Sequence, residues 1–233
     1  MIWSWIPANA GLIWQLTLEN AILGLVPPLL GLIISAPLGI VCVRWGWLYP
    51  AVLSGASAVY AIPSLALFVV LIPYTGLSDA TVIIPLTLFS LCVLVPNVVD
   101  GLRSVREPVR QAATAMGFGT MRRLAQVELP VAIPVIMAGL RVATVSSISL
   151  ASLGQLIGVS SLGYLFIDGL QRDFPTEIFV GLVLVIALAL AADIVLVIVR
   201  RLLTPWQRDR RDAGAPPSVL TPQMEQEQPE GAA

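Results

Sequence analysis

The sequence predicts an all-α membrane protein, a polytopic helical bundle of about five transmembrane helices with its N-terminus outside. Composition is the first ground. Of the 233 residues 57% are hydrophobic and only 12% charged, with a mean hydropathy of +0.89; a soluble domain carries about 25% charge. Run length is the second. Apolar stretches recur at about 20 residues, the length a helix needs to cross ~30 Å of hydrocarbon. Barrel strands would instead alternate over about 10 residues, and stretches such as 180–190 do not alternate. The third ground is the segregation of arginine along the chain.

Taken in order, residues 1–16 hold no Arg or Lys, so the positive start of a secretory signal is missing. They are read as an outer segment ahead of a retained span. The transmembrane domain is expected over 17–203, with spans at 20–43, 49–73, 80–99, 131–157 and 178–199. Pro27, Pro28, Pro37, Pro63, Pro85 and Pro134 fall inside them. Each frees a carbonyl and favours a kink, which fits either ordinary bundle packing or a lined pathway. Residues 204–233 are read as a disordered tail, because 212–233 carries four Pro, three Glu, three Gln and no aromatic residue.

Arg44 follows the first span. Arg103, Arg106, Arg110, Arg122 and Arg123 lie between the third and fourth, and Arg200, Arg201, Arg208, Arg210 and Arg211 follow the fifth. Five alternating spans put these on one side, with Arg172 alone opposite, so the positive-inside rule makes that side cytoplasmic. Trp3, Trp5 and Trp14 then sit at the outer interface and Trp45 and Trp47 at the inner one.

All 13 basic residues are Arg, and there is neither Lys nor His. Without Lys there is no Walker A loop. Without His there is no His general base, no Ser-His-Asp triad and no His metal site. Cys42 and Cys92 sit in separate apolar runs and read as small buried hydrophobes.

The polar interruption at 111–130 is the most informative stretch. It reads Gln111-Ala112-Ala113, three residues, Gly117, nine residues, then Val127-Glu128-Leu129-Pro130. Ser104 and Glu107 have capping-box spacing and Pro108 suits a first turn, so a short helix through Gln111, Ala112, Ala113 and Ala115 is expected. Gly117 accepts the positive φ of a C-terminal stop. Thr120 is placed to cap a second short helix through Arg122, Arg123 and Gln126. Two short helices and a sharp turn fit a docking element, and equally a solvated loop.

This spacing resembles the EAA loop of permease subunits of ATP-binding cassette importers: Glu-Ala-Ala, three residues, Gly, nine residues, Ile-x-Leu-Pro. Ala112, Ala113, Gly117, Leu129 and Pro130 match, while Gln111 replaces the Glu and Val127 the Ile. The resemblance implies a type I importer permease fold. It also implies coupling of the 101–130 loop to a separate ATPase through Gln111, Ala112, Ala113, Gly117, Arg122, Arg123, Leu129 and Pro130. ATP and Mg would be bound by that partner, with no cofactor, metal or catalytic residue in this chain. It further implies a second permease subunit, identical or a sister, an external substrate-binding protein, and a multi-pass location in the bacterial inner membrane. Nothing points to nucleic acid.

Further stretches are similar to the glycine betaine, carnitine and choline branch. They are Ala61-Ile62-Pro63-Ser64-Leu65-Ala66-Leu67, Ala138-Gly139-Leu140-Arg141, Gly158-Val159-Ser160-Ser161-Leu162-Gly163 and Asp168-Gly169-Leu170. The departures are Ser160-Ser161, commonly a Gly pair there, and Pro96-Asn97-Val98-Val99. The same machine importing an amino acid such as methionine is the nearest rival. An ion-coupled secondary transporter or channel subunit is the rival of another class; it would need carboxylates near the midplane.

Arg141 lies about 16 Å past Pro130 and Asp193 about 10 Å before Arg200 at 1.5 Å per residue. A pair between them is expected, with separate satisfaction by hydroxyls, water or a second subunit left open. Tyr60, Pro63, Ser64, Asn97, Ser149 and Gln155 are the pathway candidates. Tyr60 offers the aromatic face a quaternary ammonium favours, whereas the serines of the fourth span also suit helix-to-helix hydrogen bonding.

Overall fold

The computed structural model describes residues 4–205. Trp3, Arg208, Arg210, Arg211 and nearly all of the expected tail lie outside the described residues. A short turn of helix, α1 (Trp5–Ala8), leads into α2 (Ala10–Arg44). Helix α2 begins ten residues before the expected 20, so residues 10–16 of the outer segment form its first turns. It contains Pro27, Pro28 and Pro37 without interruption. Its buried positions, Leu16, Asn20, the pairs Leu23-Gly24 and Pro27-Pro28, then Gly31, Ser35, Gly39 and Cys42, return once per turn, three or four residues on. They make one stripe pressed on two later helices. A Cβ on Gly24 would stand 2.8 Å from the Ile148 Cα, and one on Gly31 2.8 Å from the Ser90 Cβ. Asn20 donates to the Ile148 carbonyl at 3.3 Å, polar glue of the kind found between membrane helices.

The expected second span at 49–73 is not one helix. It is split into α3 (Leu48–Ala61) and α4 (Ser64–Thr75), which meet at 91°. Pro63 has no N–H to give, and it disfavours the helical region at Ile62. Ile62 and Pro63 accordingly take ψ values of 129° and 131°, and two extended residues turn the chain. Gly76, at φ +68°, leads into α5 (Asp79–Arg103), with Thr81 bonded to Thr75 across the turn at 2.6 Å. Helix α5 is the centre of the bundle, packed by α2 on one side and by the later helix Leu129–Ala151 on another. Its buried Val82, Leu86 and Phe89 meet Leu23, Phe68 and Ile157.

Beyond α5 come α6 (Glu107–Ala115) and α7 (Thr120–Arg123), then a π turn (Leu124–Glu128), α8 (Leu129–Ala151) and a 3₁₀ segment (Ser152–Ile157) stopped by Gly158 at φ +86°. The second short helix expected in the loop is therefore the start of the fourth span, one run over Thr120–Ile157. Helix α9 (Gly163–Gln171) occupies the outer connection, and α10 (Pro175–Leu203) closes the chain. Leu182, Ile186, Leu190, Ile194 and Ile198 form an exposed apolar stripe along α10, a surface suited to lipid tails.

Among the described residues four helices are long and apolar enough to cross a membrane, or five if the bent α3–α4 pair counts as one span. The two ends of the bundle sort the chain as the arginine count requires. Arg44 lines a cavity with Arg110 and Arg123 at one end, and Arg103 lies 5.0 Å over the Tyr49 ring there. At the opposite end Trp5 meets Phe174 edge-on at 5.8 Å.

Candidate functional site

The loop at the arginine-rich end is built from its caps inward. The capping box does not form. The Ser104 hydroxyl donates back to the Gly101 carbonyl at 2.7 Å, and Arg106 is the residue ahead of α6. The C-terminal end is as the glycine requires. Gly117 sits at φ +83°, its N–H bonds the Thr114 carbonyl at 3.0 Å and the Phe118 N–H bonds that of Ala113 at 3.1 Å. This is the Schellman pattern. Thr120 is the first residue of α7 rather than its cap.

Around that turn Gln111 and Ala112 are exposed, and Ala113 is buried. Met116 and Met121 flank Gly117 with large exposed side chains, and Val109 is exposed one turn before. Composition alone gave no sign of this apolar surface. Arg122 is exposed, stacked 4.6 Å over the Phe118 ring and bonded to Gln126. Arg123 turns inward instead, donating to Glu128 at 2.9 Å. Leu129 and Pro130 open α8 and are half-buried. Arg44, Arg110, Arg123, Glu128 and the apolar Val43, Leu102 and Leu124 surround a cavity of about 390 Å³.

The six pathway residues are not gathered in one place. Tyr60 meets Phe89 edge-on at 5.7 Å. With Ser90, Ser146 and Ser147 they line a cavity of about 20 Å³ between α3, α5 and α8, space for little more than one water. The buried Ser147 hydroxyl there has no hydrogen-bond partner among the described residues. Pro63 and Ser64 form the α3–α4 corner. Asn97 bonds Val93 at 2.8 Å and fills the contact of α5 with Gly139 of α8. Ser149 lines a different groove, between α8 and α10, shared with Asp193. Gln155 lies in the 3₁₀ segment with its Oε1 buried and, among the described residues, without a hydrogen-bond partner.

Arg141 donates to Asp193 through Nε at 2.6 Å and Nη2 at 2.7 Å, joining α8 to α10 by a two-pronged bond. On the outer face Arg172 bonds Asp168 at 2.6 Å, and that carboxylate raises the guanidinium pKa above its ordinary value.

Comparisons with known proteins agree with this architecture. The chain is 33% identical over 198 residues to a protein of Bacillus subtilis named choline transport system permease protein OpuBB, covering 84% of this chain and 91% of that one. It is 32% identical over 203 residues to that organism's glycine betaine/carnitine/choline transport system permease protein OpuCB, covering 87% and 93%. It is 33% identical over 202 residues to the osmoprotectant import permease protein OsmW of Salmonella typhimurium, covering 84% and 94%. A solved structure of the MetNI methionine ABC transporter in inward facing conformations superposes with a TM-score of 0.73 at 21% identity, over 84% of this chain and 98% of that one. The family model for the inner membrane component of binding-protein-dependent transport systems matches residues 30–209. With the helical bundle and the Gly117 loop in place, the chain belongs to that family of transport permeases.

Proposed function

We propose that this chain is the non-catalytic membrane subunit of a binding-protein-dependent, ATP-driven importer of osmoprotectants: glycine betaine, choline, carnitine or proline-like compatible solutes. The observation that carries the coupling reading is the Gly117-capped helix α6 at the arginine-rich end, with Met116 and Met121 exposed beside it. Methionine side chains adapt to a partner surface, and a partner ATPase would bind there through the exposed Gln111, Ala112, Gly117 and Arg122, with Ala113 packed beneath them. ATP and Mg on that partner supply the free energy. This chain's part is to convert displacement of its loop into a change of access. Two permease copies, or this one and a sister, enclose the pathway in the bacterial inner membrane, and an external binding protein delivers substrate to the α9 end. Each partner shifts the access equilibrium only by its differential affinity for the two states. The substrate class is supported by the relatives' names; the likeness to the methionine transporter is one of fold.

The test is uptake of radiolabelled glycine betaine, choline and methionine by cells expressing the whole transporter, with and without ATP depletion. Uptake of a quaternary ammonium that survives collapse of ion gradients and stops with ATP loss is the expected result. Methionine uptake alone would overturn the substrate class, and gradient-driven uptake the transporter class. Gly117→Asp addresses the docking. A Cβ at Gly117 meets nothing within 4 Å, so the variant acts through backbone strain and charge on the docking surface. ATPase co-purification should be lost while membrane insertion persists, and normal uptake would sink the assignment.

A further inference from the structure

In an α-helix each residue advances by about 100°, so residues five apart point about 140° from one another and cannot meet. Arg123 and Glu128 are five apart, yet Arg123 Nε donates to Glu128 Oε1 at 2.9 Å. The π turn over Leu124–Glu128 makes this possible, because its i→i+5 repeat brings the fifth residue back over the first. Such turns are rare and concentrate at functional sites.

The same Glu128 oxygen lies 3.5 Å from Arg110 Nε. Arg110 Nη2 in turn donates to the Leu102 carbonyl at the end of α5 at 2.9 Å. Arg123 Nη1 donates to Thr114 Oγ1 at 3.1 Å, and that hydroxyl donates to the Arg110 carbonyl at 2.9 Å. By its hydrogen bond to Arg123 and its ion pair with Arg110, which is not a hydrogen bond, one carboxylate thus links the base of α8 to α6 and, through Arg110, to the end of α5. Glu128 is only 6% exposed, so an incoming partner cannot take it over. One turn further on, a Cβ at Gly101 would stand 3.1 Å from the Ala132 carbonyl. Helices α5 and α8 are therefore in backbone contact at this level.

We propose that Glu128 is a positioning residue for energy coupling: it makes the loop and the feet of α5 and α8 one body, so that a push on α6 reaches the membrane helices. The inference rests on the reading of the loop as the ATPase contact. It assigns Glu128 no contact with substrate or ATPase. A residue needed only for folding would lower transporter yield and leave the stoichiometry of the surviving molecules untouched. A positioning residue changes the stoichiometry.

The experiment is to reconstitute the whole transporter in proteoliposomes and record uptake and phosphate release together. The probe is glycine betaine, or methionine if that is what the unaltered transporter imports. Glu128→Ala should retain ATPase co-purification and hydrolysis, with uptake per ATP reduced about tenfold, as for loss of a charged hydrogen bond. Glu128→Gln, which keeps one acceptor oxygen, should fall between. An unchanged ratio in assembled variants overturns the proposal, as does loss of the ATPase in both. If Glu128→Ala fails to reach the membrane, the ratio in Glu128→Gln decides by the same criterion. Retention of the ATPase by Gly117→Asp would instead overturn the docking reading. Loss of it there, with an unchanged ratio in the Glu128 variants, sinks the positioning role alone.

Discussion

Replacing Asp193 by Ala strands Arg141 inside the bundle. Arg141 stands 12 residues into α8 from Leu129, about 18 Å, and Asp193 ten residues before the end of α10, about 15 Å. Both are well within a ~30 Å hydrocarbon layer. An arginine at mid-membrane costs about 2.5–3.5 kcal/mol on insertion scales, and removing one partner of a buried pair costs about 3–5 kcal/mol. The two side chains are 32% and 23% exposed, which leaves Arg141 room to seek polar neighbours. The loss should therefore fall near the lower bound, about 3 kcal/mol. Replacing both residues by apolar ones, Arg141→Met with Asp193→Leu, should recover most of it, since an apolar pair of similar volume is roughly neutral. Reversible unfolding of the single and double variants in SDS titrations, followed by tryptophan fluorescence, gives the coupling energy. A coupling below ~0.5 kcal/mol, the scatter between independent sites, would refute the view that the pair holds α8 to α10.

Gly24→Val should lower the unfolding midpoint in the same titration, by about 1–3 kcal/mol of overpacking, because the Ile148 backbone cannot swing aside. Gly11→Val, where a Cβ meets nothing within 4 Å, should leave it unchanged. Tyr60→Ala should raise the uptake KM for a quaternary ammonium by about two- to fivefold, the worth of an exposed cation–π contact. Tyr60→Phe should not, and equal KM values in both variants would remove Tyr60 from the pathway.

Span existence was legible because hydrocarbon demands a long apolar run whatever the fold around it. The loop was legible because Gly117 is the residue that the left-handed stop after α6 favours. The Arg141–Asp193 contact was legible from depth alone, as two charges at similar levels have few other partners. That Pro63, of the six prolines expected to kink their spans, is the one that breaks its helix was not legible. Its ring and missing N–H are the same as those of Pro37, which α2 absorbs. The difference is tertiary: α2 is clamped along its length by α5 and α8, while α3 buries no residue at all. The merger of α7 into α8 was hidden because a π turn adds one residue without disturbing the apolar pattern. The spacing of five between Arg123 and Glu128 was the one available clue, and it signifies only once the backbone is known. The packing of Asn97 against Gly139 of α8 was not legible either, since it depends on the register between two helices.

Helix α2 has a consequence for how the molecule sits. Trp14 and Trp45, both exposed, bracket it 31 positions apart, about 46 Å along a helix. That nearly equals the ~40–45 Å of a bilayer with its headgroup layers. An amphipathic ring anchored in each headgroup layer makes vertical sliding costly in both directions. Helix α2 is thus a depth gauge for the molecule, and the motions left inexpensive to the helices packed on it are tilt and rotation, not a piston stroke.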